Sequence, residues 1–301
     1  MADKFFVKRA GVINCSGVDT VDFINRMSTN DLRKFNTGEF RKTILTTDKG
    51  RITDIINLLN FEDRQIILTS EGFEEKVISH LEKYIIIDDV KLEKTEDIYL
   101  HFIITGENCF QIMKKFINPE SETVKNKVYK SDKNDIIFYD DFKYESVNII
   151  CPEQNADKIK AMLHEHLEMS DSEYQNFRIE KGVAEGENEL NERINPMECG
   201  FEKLISFNKG CYIGQEVIAR LDAQEKRPKQ MVKIISDREI SNSEKIYDES
   251  GKETGFITSS VKYNDKFNGL GFIRSQFLDY EKVYFISHEN ENYQINISKI
   301  N

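Results

Sequence analysis

The sequence of 301 residues contains no tryptophan, and none of its five cysteines forms a Cys-x-x-Cys pair. Scattered single cysteines are unlike a zinc site or a preformed cluster site, and they suit a reducing compartment. No apolar run approaches the ~20 residues that cross a membrane, and the N-terminus lacks the apolar core of a signal peptide. These absences predict a soluble, cytoplasmic protein that has no membrane partner.

Basic residues are too few and too dispersed for a surface that binds polyanions. The chain has 42 lysines and arginines against 53 acids, a net charge of −11, with both signs interspersed. Nucleic-acid binding needs a basic stripe, so no nucleic-acid partner is expected. The common phosphate-loop, dinucleotide, serine-hydrolase and zinc-protease motifs are missing. His164 and His166 lie two apart on a predicted helix and face different sides, so no metal site is predicted.

Hydrophobic periodicity predicts two α+β segments in succession. The first has the order β-α-β-β-α-β, with a helix that begins at Asp19, and the second repeats a similar order. The predicted strands are 5–16, 40–46, 51–60, 65–69, 90–94, 99–105, 135–139 and 146–151. The predicted helices are 73–84, 110–116, one with the apolar face Ile159, Leu163 and Leu167, and one from the capping box Ser170–Glu173 to Gly182.

The last part of the chain has the pattern of an all-β domain. Short strands are predicted at 231–235, 254–259, 269–273, 282–286 and 293–297. The fold class is therefore predicted as α+β, with two ferredoxin-like units followed by a small C-terminal β-barrel. The predicted domains are 1–95, 96–226 and 227–301.

One segment late in the chain combines features of a reactive site. Gly210 and Gly214 flank Cys211, and a helix is predicted from Gln215. A helix N-terminus and the neighbouring Lys209 each favour a thiolate. The alternative is a cysteine that only packs, between glycines that only turn the chain. Spacing alone leaves both interpretations open.

The segment Lys209–Arg220, Lys-Gly-Cys-Tyr-Ile-Gly-Gln-Glu-Val-Ile-Ala-Arg, resembles the signature of the YgfZ/GcvT folate-binding family, in its YgfZ-like branch. Ser28–Leu32, Arg178–Gly182 and Asn195–Gly200 resemble further elements of that family. The signature positions are Lys209, Gly210, Cys211, Tyr212, Gly214, Gln215, Glu216 and Arg220, and the spacing of Glu216 and Arg220 favours an ion pair. The resemblance implies a GcvT-like fold, with α+β domains and a barrel around a folate.

The resemblance also implies a ligand and a function. The ligand is tetrahydrofolate or a folate derivative, and the function is assembly or repair of iron–sulfur enzymes, with an indirect link to tRNA modification. The implied partners are iron–sulfur proteins or assembly factors, and Cys211 is the implied reactive thiol. Cluster ligation, thiol exchange and one-carbon chemistry remain open for Cys211, as do the clients and the oligomeric state.

Four residues are implied as folate ligands. Glu180 matches the acid that holds the pterin, since a carboxylate accepts two parallel hydrogen bonds from an aminopyrimidinone edge. Arg178 belongs to the same element, and Lys209 and Arg220 are the candidate cations for the glutamate tail. We expect Glu180 and Cys211 to line one pocket. The alternative for Glu180 is a solvated acid at a helix end.

One departure from the family concerns catalysis. In the aminomethyltransferase branch, the segment matching 49–54 carries two successive acids, the first of them catalytic, and this chain has Thr53 at that position. A threonine supplies no carboxylate, so aminomethyl transfer is not expected. Asp54 follows, but adjacent strand residues face opposite sides. The rival functions are a tetrahydrofolate-dependent aminomethyltransferase and a folate sensor in which Cys211 only packs.

Overall fold

In the computed structural model, the described residues 3–117, 125–131, 133–224, 227–288 and 291–300 form three β-sheets flanked by helices. Backbone contacts divide the chain into two compact units. Unit 1 comprises Met1–Met169 and Lys203–Gln215, and unit 2 comprises Ser170–Glu202 and Glu216–Asn301. Each unit is built from two separate stretches of the chain. The predicted domain boundaries at 95 and 226 stay predictions.

The first predicted strand, 5–16, is in fact two strands that belong to different sheets. They are β1 (Lys4–Arg9) and β2 (Gly11–Ser16), separated by a single residue. A Cβ at Gly11 would lie 2.1 Å from Thr69 Oγ1, so the glycine allows β2 to lie directly against the neighbouring strand. Both strands carry apolar residues and only Ala10 lies between them, so the sequence pattern does not reveal the change of sheet.

The five-stranded sheet of unit 1 is antiparallel. It adds to β2 the strands β3 (Glu39–Thr46), β4 (Ile52–Asn60), β5 (Gln65–Thr69) and β6 (Lys91–Lys94), in the order β3-β4-β5-β2-β6. Its helices are α1 (Thr20–Met27) and α2 (Glu74–Glu82). Asp19 stands at the N-cap of α1, as predicted, but its carboxylate accepts from the amide of Asp89 at 2.8 Å and does not cap the helix.

The six-stranded sheet of unit 1 contains β1 at a position next to its edge. The other strands are β7 (Tyr99–Thr105), β8 (Val128–Lys130), β9 (Ile136–Asp140), β10 (Ser146–Pro152) and β11 (Leu167–Glu168), in the order β11-β1-β7-β10-β9-β8. Its helices are α3 (Cys109–Met113) and α4 (Ala156–Met162). The prediction that Leu167 is helical was wrong, because this residue pairs with β1, a long-range contact that local periodicity does not show.

The two sheets of unit 1 pack against each other through an apolar layer. The layer contains Val12, Phe40, Leu59, Phe61, Ile66, Leu68, Val128, Ile136, Phe138 and Ile150. The rings of Phe40 and Phe138 lie 4.7 Å apart. Two residues further along β3 and β9, Lys42 Nζ donates to Asp140 Oδ2. The space between the sheets therefore changes from apolar to polar along these strands.

Unit 2 contains a closed β-barrel and short helices. The helices are α5 (Asp171–Lys181), α6 (Gly186–Glu189) and all but the first residue of α7 (Gln215–Ala223). The barrel strands are β12 (Lys229–Ser236), β13 (Lys245–Tyr247), β14 (Glu253–Tyr263), β15 (Lys266–Arg274), β16 (Tyr284–His288) and β17 (Glu291–Lys299), closed in the order β12-β15-β14-β13-β16-β17. The sequence missed β13, which has three residues and buries only Ile246. The predicted fold class, α+β with a C-terminal barrel, is confirmed.

The capping box of α5 allows a test of the helix assignment. Ser170 Oγ accepts from the amide of Glu173, and the Glu173 carboxylate accepts from the amide of Ser170 at 2.9 Å. Ser170→Ala should therefore lower the free energy of unfolding by about 1 kcal/mol, measured by urea denaturation. Ser172→Ala, in the first turn of the same helix, is the control. Equal losses in both variants would contradict the assigned cap.

Candidate functional site

The loop that carries Cys211 is attached to the C-terminal end of α1. The amide of Ser206 donates to Thr29 O at 2.9 Å, and Thr29 Oγ1 donates to Leu204 O at 2.7 Å. At the other end of the loop, the amide of Ile213 donates to Arg26 O at 3.1 Å. Both ends of the loop are therefore held by the same few residues of unit 1.

Lys209 fixes the middle of this loop. Its side chain is buried, and Nζ donates to the main-chain oxygens of Asn25, of Ser28 at 2.9 Å and of Asn30 at 2.6 Å. The carbonyls at the C-terminal end of a helix carry partial negative charge, which favours a cation there. An ammonium group has three N–H donors, so all three are used. The ring of Tyr212 lies 5.3 Å from Nζ and adds a cation–π contact.

This geometry bears on the roles predicted for Lys209. Burial lowers the pKa of Lys209 to about 8. The sequence predicts that Lys209 favours a Cys211 thiolate and that it binds a glutamate tail. The ammonium is instead directed into main-chain carbonyls, which favours a role in positioning the loop. The two other roles stay predictions.

Gly214 places the end of the loop against the turn between β3 and β4. Its φ is +81°, and a Cβ there would lie 2.5 Å from Thr47 O and 2.9 Å from Gly50 Cα. Thr46 Oγ1 also donates to the carbonyl of Ile213 at 2.6 Å. A side chain at position 214 would be strained in conformation and would clash with the turn. A Cβ at Gly210 meets nothing within 4 Å, so this steric requirement applies to Gly214.

Cys211 is exposed, whereas the other four cysteines are buried. Burial raises the pKa of Cys15 to about 12, of Cys109 to about 11 and of Cys151 to about 12. A thiol reacts as its thiolate and must be reached by its partner. Cys211 is therefore the cysteine of this chain whose thiol a reagent or partner in solution can reach.

Thr53 occupies an irregular position in β4. The register of β3 and β4 shifts between Leu45 and Thr46, which makes Thr53 the extra residue of a β-bulge. Thr53 is 3% exposed, and its Oγ1 has no hydrogen-bond partner among the described residues. Four residues further on, Asn57 Oδ1 is also buried without such a partner. Buried polar atoms are normally paired, so each of these oxygens can accept a hydrogen bond from a ligand or a water molecule.

Asn57 belongs to the polar end of the layer between the two sheets. Asn57 lies two residues before Leu59 in β4 and opposite Lys42 of β3, so the three side chains lie on the same face of the sheet. Lys42 in turn bonds to Asp140 and lies over the ring of Phe142. The sequence reasoning missed Asn57 and Lys42. The available signal was a single asparagine inside the run Ile-Ile-Asn-Leu-Leu at 55–59.

Asp54, the acid that follows Thr53, is fully buried, and both of its carboxylate oxygens accept hydrogen bonds. Its Oδ1 accepts from Ser70 Oγ at 2.6 Å and from the Ile55 amide at 2.8 Å, and its Oδ2 accepts from the Ser70 amide at 2.9 Å. Burial raises the pKa of Asp54 to about 6. A carboxylate held in this way does not replace an acid at position 53.

Arg178, a predicted folate residue, lies in a buried polar network of unit 2. Its guanidinium donates to Glu189 Oε2 at 3.3 Å and to Ser259 Oγ at 2.7 Å, and Ser259 Oγ donates to Glu189 Oε1 at 2.6 Å. Glu189 is 0% exposed. The network joins α5, α6 and β14, which favours a structural role for Arg178, and its folate role stays a prediction.

Glu180 lies two residues after Arg178 and has a different environment. Its side chain is 47% exposed, and one oxygen lies 3.4 Å from Lys233 Nζ. A carboxylate with this exposure can accept hydrogen bonds from a ligand. Glu180 belongs to unit 2 and Cys211 to unit 1. The expectation that both line one pocket stays a prediction.

The remaining signature residues lie on α7, which begins at Gln215 as predicted. Glu216 and Arg220 are both exposed. The ion pair that their spacing favours stays a prediction, and an exposed pair of this kind contributes little to stability. The role of Arg220 at a glutamate tail stays a prediction.

The described residues offer neither a metal site nor a membrane-spanning helix. No group of three or more histidine, cysteine, aspartate or glutamate side chains there is arranged to hold a metal ion. No helix in the same residues has the length and apolar character to cross a membrane.

Comparison with known proteins gave related sequences along most of the chain. The family model described as the GCVT N-terminal domain matches residues 5–138. A putative chloroplastic transferase of Arabidopsis thaliana is 26% identical over 280 residues, which cover 88% of this chain and 64% of the plant protein. An aminomethyltransferase of Thermosipho melanesiensis is 24% identical over 285 residues, which cover 85% of this chain and 73% of that protein.

A further relative carries a different name. The tRNA-modifying protein YgfZ of Buchnera aphidicola is 24% identical over 223 residues, which cover 72% of this chain and 68% of that protein. Among solved structures, the glycine cleavage system aminomethyltransferase T from Bartonella henselae superposes with a TM-score of 0.83 at 14% identity. That match covers 99% of this chain and 86% of the other, and at this identity it establishes the fold alone.

The contacts of Lys209 predict its contribution to stability. Lys209→Met removes an ammonium that donates to three carbonyls and leaves those carbonyls without it. The free energy of unfolding should fall by about 1.5–3 kcal/mol, measured by urea denaturation. Lys203→Met removes an exposed lysine of the same loop and is the control. A Lys209→Met variant as stable as the control would show that these contacts do not hold the loop.

Burial of Asp54 predicts a dependence of stability on pH. Its pKa is raised in the folded state, so the folded protein binds this proton more tightly than the unfolded chain does. The associated stability is present below about pH 4 and is lost as the pH rises through about 6, by roughly 2–3 kcal/mol. The difference in unfolding free energy between the wild type and Asp54→Asn should therefore decrease over this window. Asp22→Asn controls for loss of a surface carboxylate, and a constant difference would contradict the prediction.

Proposed function

We propose that this chain, which belongs to the YgfZ/GcvT folate-binding family, is a folate-binding accessory protein for the assembly or repair of iron–sulfur enzymes. In this proposal the ligand is tetrahydrofolate or a folate derivative, and Cys211 is the reactive thiol. The relatives include both a YgfZ protein and aminomethyltransferases, so the choice within the family rests on the residues of this chain.

The observation that carries the proposal is the setting of Cys211. It is the exposed cysteine among five, and it lies on a loop that Lys209 and Gly214 hold against the body of unit 1. A loop attached in this way presents its thiol at a fixed position. The aminomethyltransferase branch lacks this cysteine signature, so its presence favours the YgfZ-like function.

The residues of the chain also suit a folate. Tetrahydrofolate supplies a carrier for one-carbon units, and its reduced pterin ring presents several N–H donors. Thr53 Oγ1 and Asn57 Oδ1 are buried oxygens without a hydrogen-bond partner in the described part of the chain, which suits a ligand rich in donors. The exposed carboxylate of Glu180 would accept the pair of hydrogen bonds from the pterin edge, and Arg220 would attract the glutamate tail.

The environment of positions 53 and 54 counts against aminomethyl transfer. Thr53 offers no carboxylate, and the Asp54 carboxylate is buried and already accepts three hydrogen bonds. The chain therefore has no free acid at the place where the aminomethyltransferase branch has its catalytic one. This supports the accessory function over the enzymatic rival.

The single exposed thiol sets a limit on the chemistry. Iron–sulfur clusters are held by several ligands, so one cysteine is insufficient. If Cys211 binds a transient cluster, the client protein must supply the other ligands. Thiol exchange and one-carbon chemistry at Cys211 are the alternatives, and each also needs a partner or a bound folate. Iron–sulfur proteins are accordingly the proposed partners.

Separate roles for Glu180 and Cys211 give the main test. Glu180→Gln should weaken tetrahydrofolate binding about 10- to 100-fold by calorimetry, the usual contribution of hydrogen bonds to a charged group. Glu192→Gln, an exposed acid of the same unit, is the control. Cys211→Ala should bind folate normally but fail to restore iron–sulfur enzyme activity in cells that lack the protein. Normal folate binding by Glu180→Gln, or full rescue by Cys211→Ala, would refute the respective role.

The absence of an acid at position 53 predicts no aminomethyltransferase activity. A reconstituted glycine cleavage system with this protein as its sole aminomethyltransferase component should show no turnover above background. A true aminomethyltransferase in the same assay is the positive control. Turnover comparable to that control would support the enzymatic rival.

A further inference from the structure

Three large aliphatic side chains of unit 1 are almost fully exposed. Val18 is 89% exposed, Ile86 is 85% exposed and Ile87 is 93% exposed. They lie on two loops, one before α1 and one after α2. A single exposed aliphatic residue is ordinary, whereas three on adjoining loops are typical of a surface that binds another protein.

The two loops hold each other in place. The amides of Val18 and Asp19 donate to Asp89, at 3.3 Å to its carboxylate and at 3.3 Å to its carbonyl. In return the amide of Asp89 donates to the Asp19 carboxylate at 2.8 Å. Gly17 allows this approach, since a Cβ there would lie 2.0 Å from Asp89 O. The apolar side chains therefore project from a fixed backbone.

Acidic side chains outnumber basic ones on the segments that carry this surface. Asp19 and Asp89 belong to the two loops themselves, and Asp88 and the 74% exposed Asp22 both bind the guanidinium of Arg26. The exposed Lys83 and Lys91 flank the second loop, so four aspartates stand against three cations. The local charge is therefore slightly negative, and that of the whole chain is negative as well.

Arg26 connects this surface to the loop of Cys211. Its side chain binds Asp22 and Asp88, while its carbonyl accepts from the amide of Ile213. Ile213 is two residues from Cys211. The reach of these segments places the apolar surface within roughly 20 Å of the thiol.

We propose that Val18, Ile86 and Ile87, with their aspartate rim, form the docking surface for the client protein whose chemistry Cys211 serves. This inference rests on the proposed function. The client has a shallow apolar pocket bordered by basic residues, since charge complementarity selects partners and speeds their encounter. The same negative rim disfavours a second copy of this chain, a nucleic acid or an anionic membrane.

Two substitutions at one position test both the apolar and the electrostatic parts. Ile87→Glu removes the apolar contact but keeps the surface negatively charged. Ile87→Lys removes the same contact and also adds electrostatic repulsion toward a basic client. Rescue of iron–sulfur enzyme activity should fall for Ile87→Glu and fall further, about tenfold or more, for Ile87→Lys. Both variants should keep the melting temperature, tetrahydrofolate affinity and Cys211 alkylation rate of the wild type. Leu167→Lys, at a 62% exposed leucine on the edge of the six-stranded sheet, is the control and should rescue fully.

The outcomes separate this inference from the proposed function. Full rescue by both Ile87 variants overturns the docking surface and leaves the role of Cys211 intact. A wild type that sediments as a dimer, with Ile87→Lys a monomer, replaces the client by a second copy and also overturns it. If the wild type itself does not rescue, the proposed function has failed. The docking surface is then tested by placing a photoreactive crosslinking residue at position 87. If no protein is crosslinked in cells, or if high salt leaves the crosslinking in a cell lysate unchanged, the docking surface is refuted.

Discussion

The insertion of the Lys209 ammonium into the carbonyls at the end of α1 is the interaction on which the candidate site depends. The donors of one side chain are all used by Asn25, Ser28 and Asn30, so the loop cannot shift without breaking several charge-assisted hydrogen bonds. Gly214 secures the other end, where no larger residue fits. Cys211 is exposed on a loop in which Lys209 and Tyr212 are buried, so the backbone that carries the thiol is held in place.

The same unit holds the residues that bear on aminomethyl transfer. Thr53 is the extra residue of a β-bulge, and its hydroxyl has no hydrogen-bond partner among the described residues. The carboxylate of Asp54 already accepts hydrogen bonds from Ser70 and from the Ile55 amide. Position 53 therefore offers no carboxylate, and its hydroxyl can accept a hydrogen bond from a ligand. This arrangement supports the proposal of folate binding without aminomethyl transfer, with Cys211 as the proposed reactive thiol.

Sequence patterns predicted most elements of the fold but not how they associate. Periodicity located β5 and β7 to the residue, and the capping box of Ser170 is present as expected. The change of sheet between β1 and β2 depends on the pairing of β1 with β7, in which Arg9 lies opposite Leu100. The pairing of Leu167 with Lys4 of β1 joins residues that are still further apart in the sequence. The sequence motif identified Lys209 but not its partners, because the carbonyls that it binds belong to another segment. Sequence patterns also give no sign that the oxygens of Thr53 and Asn57 are buried without a partner among the described residues, because this depends on the tertiary structure.

The central proposal is that tetrahydrofolate is the ligand of this chain. Hydrogen–deuterium exchange with and without tetrahydrofolate tests it directly, because ligand binding slows the opening of the backbone that it contacts. The account predicts slower exchange in peptides that span β4 and α5 when tetrahydrofolate is added. Unchanged exchange in both segments at saturating tetrahydrofolate would contradict it.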